Sequence, residues 1–190
     1  VGPMPELPEV EHVVRALRGA VSGRRIVAVD LNLKKLAGAS PATFIRKLRG
    51  AQIESLGRRG KYILINLDSG SVLMVHLRMT GKFVCLPSDA VLPPYAHLIF
   101  YLDDDRRLVF CDMRQFGRMR IVTASQLYQS RELAALAPEP LSDEFTLDHF
   151  RATLARSHRT LKQLLLDQTK VLGLGNIYAA EALFLARISP

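Results

Sequence analysis

Between Ile26 and Thr123 the chain is a succession of short apolar runs rich in β-branched residues: Ile26–Leu33, Ala51–Leu56, Tyr62–Leu67, Ser71–Leu77, Lys82–Leu86, His97–Leu102, Arg107–Cys111 and Arg118–Thr123. Turns such as Asp68-Ser69-Gly70 and Asp103-Asp104-Asp105 separate them. Regular short strands with tight turns build a sandwich or a barrel. A hydrophobic content of 48% over 190 residues supplies a real core. That length allows one large domain, or a domain with a small second one. No apolar run is long enough to span a membrane, and no secretory signal is visible at the start.

The flanks read differently. Val10, Val13, Val14, Leu17 and Val21 recur at helical spacing, and Gly19 and Ser22-Gly23 mark where that helix frays and stops. A short helix is expected at Ala42–Leu48, after Ser40-Pro41. The pattern changes after about residue 135, where Pro138-Glu139-Pro140-Leu141 forms a stiff connector. Ser142 or Asp143 can cap a helix carrying Phe145, Leu147, Phe150 and Leu154. Thr160–Leu166 reads as a second helix and Ile177–Arg187 as a third, with Gly173 and Gly175 in the turn between them. Three segments are therefore expected. Residues 1–4 are a tag remnant, Val1-Gly2-Pro3, plus an initiator methionine, Met4. Residues 5–135 form a β-rich domain, and residues 136–190 a helical part that stops abruptly at Pro190 and so looks incomplete.

Charge points to a partner. Net charge is 26 − 18 = +8, which makes a polyanion the expected ligand, nucleic acid first and an acidic membrane surface second. A generally basic but inert surface fits the charge as well. The only cysteines, Cys85 and Cys111, lie far apart in apolar strand-like segments. They give neither a disulfide framework nor a zinc site, and read as reduced core residues of a cytosolic protein.

Four clusters could carry chemistry. In Met4-Pro5-Glu6, removal of the methionine makes proline the N-terminus. Its secondary amine is a nucleophile able to form an iminium with an aldehyde-like carbon, and Glu6 beside it offers a carboxyl group for proton transfer. Pro-Glu is also an ordinary helix opening. Arg58-Arg59-Gly60-Lys61-Tyr62 puts cations at the mouth of a strand, where Lys61 could equally be a solvated strand end. His76-Leu77-Arg78-Met79-Thr80-Gly81 ends a strand in a polar turn presenting Met79; a core histidine and a core methionine are the plain alternatives. In Asp112-Met113-Arg114-Gln115-Phe116-Gly117, Arg114 could simply pair with Asp112. Jointly the clusters suit a protein that extrudes a nucleotide from duplex DNA. Met79, Arg114 and Phe116 have shapes that fill the vacated space, while lysine and histidine hold phosphates.

With these residues in place, the chain resembles the formamidopyrimidine-DNA glycosylases, bacterial enzymes that remove oxidised purines. The matching stretches run in family order: PELPEVE at 5–11, RRGKY at 58–62, HLRMTG at 76–81, DMRQFG at 112–117, PEPL at 138–141 and LLLDQTKVLGLGNIYAAEALF at 164–184. PELP, rather than the PEGP of the endonuclease VIII branch, favours the purine branch. The resemblance implies a helix–two-turns–helix element in the last stretch, Asn176 on a backbone phosphate, and Lys162 near the lesion end of the site. It places the family's zinc in a C-terminal four-cysteine finger that is not in this chain, so no metal or other cofactor is expected here.

The resulting expectation is an α+β fold. It has an N-terminal two-layer β-sandwich flanked by helices, then an incomplete helical domain with the helix–two-turns–helix element. The expected activity is base-excision repair by a bifunctional glycosylase and abasic-site lyase. Pro5 is the nucleophile, Glu6 the general acid/base and Lys61 the cation on phosphate. His76, Met79, Arg114, Phe116, Lys162 and Asn176 are on DNA, and Glu9 lines the base pocket. The expected partner is double-stranded DNA carrying oxidised purines or abasic sites. The protein is taken as a cytoplasmic, nucleoid-associated monomer with no membrane contact. The alternative is a non-catalytic DNA-binding module, because residues 1–4 block the Pro5 amine and the C-terminus is missing.

Overall fold

The computed structural model describes residues 4–38 and 40–189. Val1-Gly2-Pro3, read above as a tag remnant, lie outside the described residues. Two four-stranded antiparallel sheets face one another, which decides for a sandwich over a barrel. One runs in the order β1 (Ile26–Leu31), β6 (Ala96–Leu102), β7 (Arg106–Asp112), β5 (Gly81–Pro87). The other runs β2 (Ile53–Arg59), β3 (Tyr62–Leu67), β4 (Ser71–His76), β8 (Arg118–Thr123). Ile63, Ile65 and Val75 of the second sheet meet Leu98, Phe100 and Phe110 of the first in one buried core. The second sheet is apolar on both faces. Leu64, Val72, Met74 and Val122 point outward beneath Leu127 and Leu133, so its outer side is also covered.

Helix α1 (Leu7–Val21) lays Val10, Val14, Leu17 and Val21 on this core and runs through Gly19 without interruption. Each such side chain removed from water is worth about 1.5–3 kcal/mol, enough to offset the glycine. Helix α2 (Pro41–Leu48) contributes Phe44 and Leu48. Two 3-10 turns, Lys34–Ala37 and Ala124–Gln129, are too short to show a hydrophobic period.

The helical part comprises α3 (Leu147–Ala155), α4 (Leu161–Leu166) and α5 (Asn176–Leu185), around Leu164, Leu165, Val171, Ala179 and Leu183. The cap of α3 is neither Ser142 nor Asp143. Thr146 accepts the His149 N–H at 3.1 Å, while the Ser142 hydroxyl turns back to the Glu139 carbonyl. Thr160 caps α4 in a reciprocal box with Gln163.

The connector is tied to the β2–β3 turn. Glu139 pairs with Arg58 and Arg59 and accepts the Gly60 N–H, and Arg59 also donates to the Leu136 and Ala137 carbonyls. The two arginines, read as cations at a strand mouth, are occupied in holding the helical part to the sandwich. A second seam runs through the turn before α5, where the Leu7 N–H donates to the Gly173 carbonyl at 3.0 Å. Gly173 has φ +91°, and a Cβ there would lie 2.7 Å from the Leu7 Cβ. Gly173→Ala should therefore cost about 1–3 kcal/mol, seen as a lower urea midpoint with an unchanged denaturant slope.

Candidate functional site

Strand register gathers the distant clusters at one end of the sandwich. Tyr62, the first residue of β3, pairs with His76, the last of β4, which pairs in turn with Arg118, the first of β8. Gly81, opening β5, pairs with Asp112, closing β7. The Gly60-Lys61 turn, the loop 77–80 and the loop 113–117 therefore share one edge.

Glu6 joins this edge to the helical part. It is only 2% exposed. Its carboxylate accepts the N–H groups of Gly175 (2.5 Å), Ile177 (2.8 Å) and Tyr178 (3.3 Å). These are donors that the start of α5 would otherwise leave without partners, at the positive end of the helix dipole. Glu9 braces the arrangement: one oxygen accepts the Glu6 N–H and the other the Tyr178 hydroxyl. A side chain on Gly175 would collide with the Glu6 carboxyl, its Cβ falling 2.6 Å from Cδ.

Lys61 is no solvated strand end. It is 8% exposed and its Nζ donates to the Leu174 carbonyl at 2.6 Å. Burial pushes its pKa down from the ordinary lysine value, against the opposing pull of Glu6 and Glu9. His76 is buried, edge-on to the Tyr62 ring at 4.8 Å between centroids, and its Nδ1 accepts the Arg78 N–H. Desolvation, with Arg78 and Lys61 adding to it, lowers its pKa to about 3. The imidazole is neutral at physiological pH with its proton on Nε2. It can donate one hydrogen bond to a phosphate but adds no charge of its own.

The two remaining loops face a cavity of about 330 Å³ lined by Met4, Arg78, Met79, Phe116 and Arg118. Met79 is half-buried at its loop tip, and Phe116 is 46% exposed. The Arg114 guanidinium lies 4.9 Å from the centre of the Phe116 ring, not on Asp112. Asp112 instead accepts from Thr80 and from the Gly117 N–H.

Known proteins share this framework. The formamidopyrimidine-DNA glycosylase N-terminal domain matches residues 4–119, and the H2TH domain of the same family matches residues 136–190. The formamidopyrimidine-DNA glycosylase of Heliobacterium modesticaldum is 47% identical over 191 residues, covering 98% of this chain and 69% of that protein. The chain belongs to the formamidopyrimidine-DNA glycosylase family. Two solved structures from this family superpose closely. The Lactococcus lactis Fpg in complex with an abasic site containing DNA has a TM-score of 0.92 at 34% identity, covering 97% of this chain and 69% of that one. MutM in complex with carbocyclic 8-oxo-G containing DNA has a TM-score of 0.93 at 34% identity, covering 98% and 70%.

Of the candidates, Glu6 and Glu9 are bonded to one another and Lys61 reaches the Leu174 carbonyl in the turn before α5, while Met79 and Phe116 line the neighbouring cavity. Asn176 is exposed and is the first residue of α5, whose cap is Gly175 with no side-chain bond of its own. Glu6, not Asn176, supplies the side-chain acceptor for the first N–H groups of α5. Lys162 is half-buried in α4, and no described hydrogen bond or ion pair joins it to Glu6 or Lys61. Glu9, expected at a base pocket, has both oxygens engaged by protein donors. Tyr178, Gln168 and Thr80 escaped the sequence reading. Gln168 holds the turn before α5 by donating to the Leu174 carbonyl and accepting the Gly173 N–H. Gln168 stands within the polar stretch Asp167-Gln168-Thr169-Lys170, so nothing in the sequence set it apart. Among the described residues no three His, Cys, Asp or Glu cluster as a metal site, and no helix is long and apolar enough to cross a membrane.

His76 gives a pH test. Its folded-state pKa lies below the unfolded value of 6.5, so the unfolded chain takes up the proton first. The associated stability is complete above pH 6.5 and falls as the pH drops toward 3, by up to a few kcal/mol. His76→Gln should flatten that part of the acid limb in thermal melts recorded from pH 7 to pH 4.

Proposed function

We propose that this protein works in base-excision DNA repair, removing oxidised purines and then cutting the abasic site through an iminium on Pro5. One observation supports the reading most. Met4 lines the cavity with Met79 and Phe116, while Glu6, two residues on, is buried against α5. Pro5, which links these two residues in sequence, is thereby supported as the nucleophile, with loops suited to fill a vacated base position near Met4 and a carboxylate suited to move a proton at Glu6. The kinship with proteins solved on 8-oxo-G and abasic-site DNA supports the substrate class.

In this mechanism the Pro5 nitrogen attacks C1′ and the glycosidic bond breaks. The departing base takes the electron pair and a proton. The ring C1′–O4′ bond then opens, O4′ receives a proton by way of Glu6, and the iminium forms. Loss of a C2′ proton expels the 3′ phosphate, a second elimination expels the 5′ phosphate, and water releases the amine. Lys61 is the positioned cation on phosphate, and the exposed Asn176 side chain holds a phosphate at the start of α5, whose other first N–H groups Glu6 already occupies.

A second reading has its own observation. With Met4 joined to it, the Pro5 nitrogen is a tertiary amide and cannot attack, leaving a DNA-binding module. Borohydride trapping on abasic-site DNA separates the two. A protein beginning at Pro5 should form a stable cross-link, and the 190-residue chain should not. Equal trapping by both would assign the nucleophile to another amine, Lys61 first.

Asn176→Ala should leave the melting temperature unchanged, because Asn176 supplies no cap bond. It should weaken DNA binding about fivefold across sequences, the loss of a hydrogen bond worth about 1 kcal/mol. Parallel melting and affinity measurements check this.

A further inference from the structure

The loop carrying Met79 and the loop carrying Arg114 and Phe116 are two separate crossovers between the sheets. Loop 77–80 leads from β4 in one sheet to β5 in the other, and loop 113–117 leads from β7 back to β8. Backbone pairing ends before either tip. Both tips contain a non-glycine residue in the left-handed region, Arg78 and Gln115, each at φ 56°. Such residues persist only where their surroundings hold them.

A pair of polar side chains, Asp112 and Thr80, joins the two loops. Asp112 is 1% exposed. One of its oxygens accepts the Thr80 hydroxyl, and the other accepts the Gly117 N–H at 2.7 Å. The Thr80 oxygen in turn accepts the Arg114 N–H at 2.9 Å. The Asp112 backbone is itself fixed, its N–H donating to the Tyr95 carbonyl and its carbonyl lying 2.9 Å from His97 Nε2. A Cβ on Gly117 would come within 3.0 Å of the Asp112 carboxylate, so the carboxylate and the loop backbone are closely seated. Thr80 immediately follows Met79, the Arg114 amide is anchored directly, and Gly117 immediately follows Phe116. The three prospective void fillers are each held at or next to one hydrogen-bonded cluster.

We propose that Asp112 and Thr80 are positioning residues that set the spacing of Met79 against Arg114 and Phe116, so that the three enter the duplex as one wedge. This inference rests on the repair reading above. The cluster touches no substrate; it acts through the loops. Breaking it matters where a base must be unstacked and extruded, and little where the site is already abasic.

The test uses the full-length protein starting at Pro5, in single-turnover assays on a paired 8-oxoguanine duplex and on a preformed abasic site. Thr80→Val keeps the shape but removes both hydroxyl bonds; Thr80→Ser restores them. Thr80→Val is expected to slow excision about 10- to 100-fold, as displaced catalytic geometry does, with abasic cleavage within about threefold. Thr80→Ser should recover excision. Thr80→Val added to Phe116→Ala should cost little more than Phe116→Ala alone, because both act through the same wedge. Melting curves confirm that each variant is folded. Equal losses on both substrates, full additivity with Phe116→Ala, or no loss in a folded Thr80→Val would each overturn the proposal. An unmutated protein inactive on both substrates would overturn the repair reading itself, and the wedge inference with it.

Discussion

The carboxylate of Glu6 is the contact on which the arrangement turns. A buried carboxylate costs several kcal/mol unless its lone pairs are met, and here three backbone N–H groups at the start of α5 meet them. The same bonds supply partners for helix donors that would otherwise be orphaned in a buried seam. The two halves complete each other: apart, Glu6 would stand in solvent and α5 would have an uncapped terminus. Glu9, Tyr178 and the Lys61 bond to the Leu174 carbonyl extend the seam. The small residues Gly173 and Gly175 let the backbone come close enough to make it.

The sandwich contributes an edge. Antiparallel register brings strand ends together irrespective of their distance in sequence, so three loops from separate parts of the chain lie side by side. A rigid scaffold under short loops suits work that displaces a nucleotide, since the loops must keep their shape against stacking forces of a few kcal/mol. The charge on this edge is partly internal. Arg58 and Arg59 look like phosphate ligands by composition, but Glu11 and Glu139 engage them.

Much of the framework was legible in the sequence because its causes are local. Short runs rich in β-branched residues, with turn residues between them, located all eight strands, and helical spacing located α1. Ends were less legible. β2 continues to Arg59 and β7 to Asp112 because ladder bonds to neighbouring strands, not their own composition, keep them extended. The choice of Thr146 over Ser142 or Asp143 as a cap was open for the same reason, as three good cap formers stood within five residues. In the site, the proline, glutamate and lysine stood out by type. The neutral state of His76 did not, since it comes from burial between Tyr62 and its neighbours. The Glu6–α5 contact spans 169 residues, and no periodicity encodes a pairing that remote.

That span has a consequence for how the protein comes to life. Glu6 is positioned by residues 169 and more positions further along the chain, so it must wait until the turn before α5 has been made before its partners exist. Contacts this distant in sequence form late and slowly. Through that interval Glu6 is solvated, Pro5 has no fixed neighbours, and the amino end stays open to processing. A chain interrupted before Gly175 could fold its sandwich yet leave its amino end undirected, so the finished turn before α5 serves as a check that the polypeptide has been read through that point.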